Sequence, residues 1–403
     1  MRNTSPTPND RTSFLTDRRN LKMARSAHAY VRGNTARFYE WVNSAEAVNV
    51  PAGPAVWICG DCHVGNLGPV ASAKGRIDVQ IRDLDQTVIG NPAHDLIRLG
   101  LSMASAARGS DLPGVMTTRI VEQLTLGYAR AFDDAIVVED IERPAAIDLT
   151  IRSALKRNWK KLARERIEDT SPKIPLGKTF LKLSRDERAA IDELFGQEKI
   201  RRLMTSLRSR DDDAPIEVLD AAFWVKGCSS LGLLRYAVLV GVGGAKGELC
   251  LVDIKEAVRA VAPAAPEAEM PKDNGARVVT GAWHLSPALG DRMQSAELLG
   301  KSVFIRELMP QDLKFEIEHL TADEALKVAF YLASVVGKAH ARQVTDVERT
   351  AWRKELAKNR SRTLDAPSWL WTSVVDLLAH HEKAYLEHCR KYAATPNSAT
   401  HRV

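Results

Sequence analysis

The sequence predicts an α+β fold of two lobes, one largely helical and the other rich in β-structure. Three observations predict it. Short strand-like runs, one starting at Val56 and one at Ile77–Ile81, are followed by helical spacing from Asp95 to Met103. Residues 114–215 then read mostly as helices. After Pro215 the texture changes to strand, Gly/Ser loop, strand, Gly-rich turn and strand, and a long helical pattern returns after residue 320.

At 403 residues the chain is long enough for two or three domains or a two-lobed enzyme. With 57 basic and 51 acidic residues, its net charge of +6 suits anionic ligands but is too small to argue for nucleic acid. Five scattered cysteines point to reduced thiols and a cytoplasmic setting. No run of eighteen apolar residues exists, so no membrane is expected as a partner. Residues 1–20 are polar, lack an apolar signal core and are expected to form a mobile arm.

In chain order, Lys22 to Val42 reads as helical with a break at Gly33. The run from Val56 then delivers Asp61 to a loop, and Asn66 follows five positions later. A turn at Lys74-Gly75 leads to a strand in which Ile77, Val79 and Ile81 alternate with polar residues, ending on Asp83 and Asp85. Phosphoryl transfer needs oxygen ligands for Mg²⁺ and a carboxylate to orient the attacking hydroxyl, and Asp-x-x-x-x-Asn is the spacing of a kinase catalytic loop. A single such spacing is weak, because Asp and Asn are also turn formers. The flanking strands and the second carboxylate pair strengthen it. Cys59-Gly-Asp-Cys62-His63 formally matches haem-attachment and redox patterns, but the context favours two small, partly buried cysteines. Asp95 is placed to cap its helix and brace the Asp61 loop from behind.

The basic cluster from Arg152 to Arg166 reads as a solvated helix face, and Ser184-Arg-Asp-Glu187 as a capping box. Arg208 to Pro215 reads as a linker. Gly227, Ser229, Ser230 and Gly232 then form a small-residue loop between strands, suited to covering phosphates with backbone N–H groups. Lys255, near the end of the third strand, would supply a cation to the same phosphates. Against this stands an ordinary antiparallel meander with an exposed lysine. No carboxylate stands out to pair with Lys255, since the helical stretch Val278–Leu285 offers Thr280 and no acid. Val303 to Leu308 reads as a strand leading to a hinge. Thr321-Ala-Asp-Glu324 caps a strong helix, and Trp369 to Tyr392 forms another.

Taken together these motifs resemble the bacterial DUF2252 family. The resemblance rests on Lys22-Met-Ala-x-Ser26, Arg32-Gly33, Cys59-Gly-Asp61-x-His63-x-x-Asn66, Asp83-x-Asp85-x-Thr87, the Gly227–Gly232 loop, Lys255-Glu-Ala257 and Ala339-His-Ala-Arg342. Ser229 and Thr280 depart from its pattern. The Asp61 loop and Gly90-Asn-Pro-x-x-Asp95-Leu96 also look like those of aminoglycoside-phosphotransferase-like kinases. This implies a two-lobed protein-kinase-like fold, circularly permuted, because the catalytic-loop segment precedes the nucleotide lobe. The expected parts are residues 1–20 as the arm, 21–215 as catalytic loop and helical large lobe, 216–315 as nucleotide lobe, and 316–403 as helices returning to the large lobe. The expected activity is phosphotransfer from ATP with Mg²⁺ to a small-molecule or protein hydroxyl. Asp61 would be the base, Asn66, Asp83 and Asp85 the metal ligands, and Lys255 with the glycine loop the phosphate site. The alternatives are nucleotidyl transfer at the same site and a nucleotide-binding pseudokinase scaffold. An RNA- or DNA-binding reading rests on residues 152–166 alone.

Overall fold

Alternation along the longest strands decides the architecture. The computed structural model describes residues 11–47, 49–109, 114–133, 141–167, 173–207, 209–227, 231–243, 247–315, 320–358, 360 and 364–392. Its strands are β1 (Val56–Ile58), β2 (Leu67–Ala71), β3 (Ile77–Ile81), β4 (Val88–Gly90), β5 (Phe180–Leu181), β6 (Ile216–Trp224), β7 (Arg235–Val242), β8 (Glu248–Glu256), β9 (Met293–Leu298) and β10 (Lys301–Leu308). The last six form one antiparallel sheet in the order β5-β6-β7-β8-β10-β9. β1 pairs with β4, and β2 with β3, as two small ribbons.

On β7, Tyr236, Val238, Val240 and Val242 face one side of the sheet, while Ala237 and Leu239 face the other. Both sides are buried. Helices Arg185–Gly196 and Glu198–Thr205 cover the outer side through Ile191, Leu194, Ile200 and Met204. Leu162, Ala163 and Ile167 of the helix Trp159–Ile167 cover part of the inner side. β8 obeys the same alternation: Cys250, Val252 and Ile254 point outward, so Leu251, Asp253 and Lys255 share the inner face.

A separate core joins the segment around the Asp61 loop to helices Pro92–Gly109, Val115–Arg130, Ala322–Ala341 and Ser368–Tyr392. The expected capping boxes at Ser184 and Thr321 are formed, and a third caps Asp346–Ala357. The break at Gly33 separates helices Ala27–Gly33 and Thr35–Val42. Among the described residues no helix is long and apolar enough to cross a membrane.

Two expectations change. Part of the expected arm is the helix Arg11–Met23, which buries Leu15 against the sheet and ties Arg11 to Glu187 at 2.6 Å; residues 1–10 lie outside the described residues. The division at residue 215 also gives way, since β5 pairs with β6 and the helices between residues 185 and 205 cover the sheet. The physical reason is common to both. A sheet with an apolar outer face needs cover, and the chain on either side of the helical core supplies it. The expected linker is pinned as well, by Arg210 to Glu307 at 2.8 Å and to Glu248 at 2.7 Å.

Candidate active site

β1 runs into the Asp61 loop through Gly60, whose φ of +74° favours glycine and where a Cβ would lie 2.2 Å from the Gln86 carbonyl oxygen. The loop is held from behind by one carboxylate. Asp95 accepts hydrogen bonds from the Cys59 N–H at 2.7 Å and the Gly60 N–H at 2.9 Å. Its Oδ2 also lies 3.2 Å from His340 Nε2, and His340 Nδ1 lies 2.9 Å from the Tyr128 hydroxyl. Asp95 is therefore the expected brace, although it caps nothing: it sits within the first turn of its helix and turns back to the loop. The far-downstream His340 meets the loop through this carboxylate. His63 has Nε2 4.0 Å from Asp61 Oδ2 and leaves Nδ1 buried without a partner. Burial, with Arg32 and Arg98 nearby, holds its imidazole well below the usual range. Cys59 and Cys62 are free thiols, both buried.

Asp61 itself is buried, with Oδ1 accepting from Arg98 Nε at 2.9 Å. Burial raises its carboxyl above the ordinary range, and Arg98 offsets only part of the shift. Asn66 donates through Nδ2 to the Asp61 carbonyl oxygen at 3.0 Å, which ties the two ends of the loop together.

Lys255 reaches this place from the sheet. Its Nζ lies 2.6 Å from Asp85 Oδ2 and 3.2 Å from Asp83 Oδ1, and its side chain is only 4% exposed. The acidic partner that the sequence does not reveal is thus the carboxylate pair itself. The helix over Val278–Leu285 exists as Asn274–Leu285, but its buried contact is Arg277, which donates to the backbone carbonyls of Thr87, Asp85 and Val258. Desolvation within the cleft raises Asp83, yet Lys255 and Arg306 outweigh it and hold the group below the carboxylate range. Burial and the charge on Asp83 push Asp85 up to about 6, against Lys255.

Gly227 and Gly232 have φ of +109° and +113°, the left-handed region a side chain would strain. Lys22 Nζ holds the Gly227 carbonyl at 2.7 Å. Ser229 and Ser230 lie outside the described residues.

Asp61, Asn66 and Asp83 line two chambers. One, of about 430 Å³, lies under the inner face of the sheet and is also lined by Arg32, Arg82, Arg166, Arg235, Arg306 and Lys226. The other, of about 660 Å³, is lined by Gly232, Leu233, Asp85, Val258, Thr35 and Asn20 among others. The cationic side chains escape sequence reasoning except for Arg32, marked only by the family resemblance, and Arg166, read as solvated. The available signal is charge within or beside largely apolar strand runs: Arg235 opens β7, Asp253 lies inside β8 and Arg306 lies near the end of β10.

Among the described residues no group of three or more His, Cys, Asp or Glu side chains is arranged to hold a metal ion. Mg²⁺ asks for less, because one or two carboxylates with phosphate and water oxygens suffice. Asp85 Oδ1 is buried without a hydrogen-bond partner and Asp83 is 44% exposed, so oxygen ligands are present.

The family model described as "Uncharacterized protein conserved in bacteria (DUF2252)" matches residues 11–391. No curated protein and no solved structure matches the sequence.

Proposed function

The chain belongs to the DUF2252 family, and we propose that it transfers a phosphoryl group from ATP with Mg²⁺ to a hydroxyl-bearing acceptor. The proposed architecture is kinase-like, with the catalytic-loop segment placed before the nucleotide lobe. One observation carries the reading: Lys255 Nζ meets Asp83 and Asp85 within 3.2 Å across 172 and 170 positions of chain. Order within the sheet supports it too. A glycine loop joins β6 to β7, the lysine ends β8, and a helix then leads to β9 and β10, the arrangement of parts that serves ATP phosphates in kinases.

In this reading Asp61 receives the hydroxyl proton. Its Oδ1 is engaged by Arg98, which leaves Oδ2 as the basic oxygen, and burial strengthens its basicity. Asn66, Asp83 and Asp85 would hold Mg²⁺, which when bound neutralises charge on the phosphoryl oxygens. Lys255 neutralises the carboxylates here and would be free to meet phosphate oxygens if these acids held Mg²⁺. Asp83→Ala is expected to abolish Mg²⁺-dependent nucleotide binding in calorimetry, and unchanged binding would remove the metal assignment.

A second reading, a nucleotide-binding pseudokinase, is favoured by the lysine being already paired with both acids. Turnover separates the two: binding with no phosphoryl or nucleotidyl transfer supports the scaffold.

A further inference from the structure

A third cavity, of about 350 Å³, lies between β3 and the helix Ala322–Ala341, and it shares no lining residue with either chamber at Asp61. We propose that it is a second ligand site, which takes a small organic anion carrying two or more negative charges. The site is independent of the phosphotransferase reading.

Helical spacing builds one wall. Tyr331, Ser334, Lys338 and Arg342 recur at intervals of three and four, so they share one face of that helix and its C-terminal cap. The facing wall is β3, with Arg76 just before it and Asp78 and Gln80 at alternate positions along it. Arg143 enters from the chain ahead of the helix Ala145–Leu155. The floor is closed, since Val79, Leu285, Tyr331 and Ser334 are all buried.

Charge is out of balance there. Arg76, Arg143, Lys338 and Arg342 meet one acid within the cavity, Asp78, while Asp148 stands near Tyr331. Among the described residues none of the four cations forms an ion pair. Arg342 gives only Nη2 to the Leu285 carbonyl, at 2.9 Å, and Asp78 Oδ1 accepts from the Val79 N–H at 2.8 Å. The negative end of the helix accounts for Lys338 and Arg342 near its C-terminus. It does not account for Arg76 and Arg143, which converge from other elements. Cations gathered around a concave site are matched by the oxygens of an oxyanion. A volume near the low end for ligand pockets suits a small molecule, and Ile77, Leu285 and the Tyr331 ring offer apolar surface to its carbon skeleton.

Calorimetry of the full chain at low salt and without Mg²⁺, with citrate or 3-phosphoglycerate as the probe, tests this. At least one is expected to bind, and the tighter of the two tells carboxylate from phosphate ester. Arg76→Gln and Lys338→Gln, both at exposed positions, should each weaken it by about five- to tenfold, the loss of one charge-assisted contact. Arg32→Gln, in the chamber under the sheet, should leave it unchanged. Melting temperatures of the variants, read alongside, separate these losses from misfolding. No binding of either probe, binding that survives Arg76→Gln and Lys338→Gln combined, or binding lost in Arg32→Gln would overturn the proposal.

Discussion

In the proposed mechanism Asp61 is served by neighbours that do different things. Arg98 fixes one oxygen, burial raises the basicity of the carboxylate, and Asp95 holds the preceding backbone N–H groups. Asp61→Asn keeps size and burial while removing the base. It is expected to lower kcat by about 10²–10⁴-fold with little change in nucleotide affinity, as steady-state kinetics and calorimetry would record. A kcat within a few-fold of the wild type would remove Asp61 from proton transfer. At this scale the candidates Asp61, Asn66, Asp83 and Asp85 are read from local spacing and strand ends, and the fold brings all four to one chamber. Arg235, Asp253 and Arg306 are not legible in that way, because their meeting depends on the register of β7, β8 and β10.

Elements that brace the site carry a cost at low pH. His381, in the helix Ser368–Tyr392, turns Nδ1 to the Leu377 carbonyl at 3.0 Å and leaves Nε2 buried without a partner. Burial, then the charge of Arg98, lowers it to about 3, with His380 and Arg37 adding to the effect and the Leu377 bond opposing it. His94 is lowered to about 4, chiefly by burial. In both cases the unfolded chain binds the proton more readily than the fold does. Their contribution to stability is therefore complete above about pH 6.5 and is lost as pH falls toward 4 and 3. Denaturant unfolding is expected to give a stability that declines over that window, with a slope that His381→Leu reduces by up to about 1.4 kcal/mol per pH unit. An unchanged slope would mean the imidazole is not held neutral. The helices themselves were largely readable, since capping boxes and apolar periodicity are local signals. The helix Arg11–Met23 was not, because its polar surface conceals the few residues it buries, Arg11, Leu15 and Met23.

Across the whole molecule, the sheet is closed on its outer side by segments from two places in the chain, and Arg11 is the clearest tie between them. It meets Glu187 at 2.6 Å with both side chains largely buried. Arg11→Ala leaves that carboxylate uncompensated and is expected to cost about 2–4 kcal/mol in denaturant unfolding. A change under about 0.5 kcal/mol would make the helix dispensable. What no local pattern could reveal is the larger closure, in which the end of β8 arrives between two acids from the other half of the molecule. That meeting is set by tertiary packing, and the sequence offers only chemical suitability at each end. The most direct measurement is a double-mutant cycle on Lys255→Ala and Asp85→Ala, read as the calorimetric affinity for Mg²⁺–ATP. A shared site predicts a coupling of at least about 1 kcal/mol between the two substitutions, and losses that simply add would contradict it.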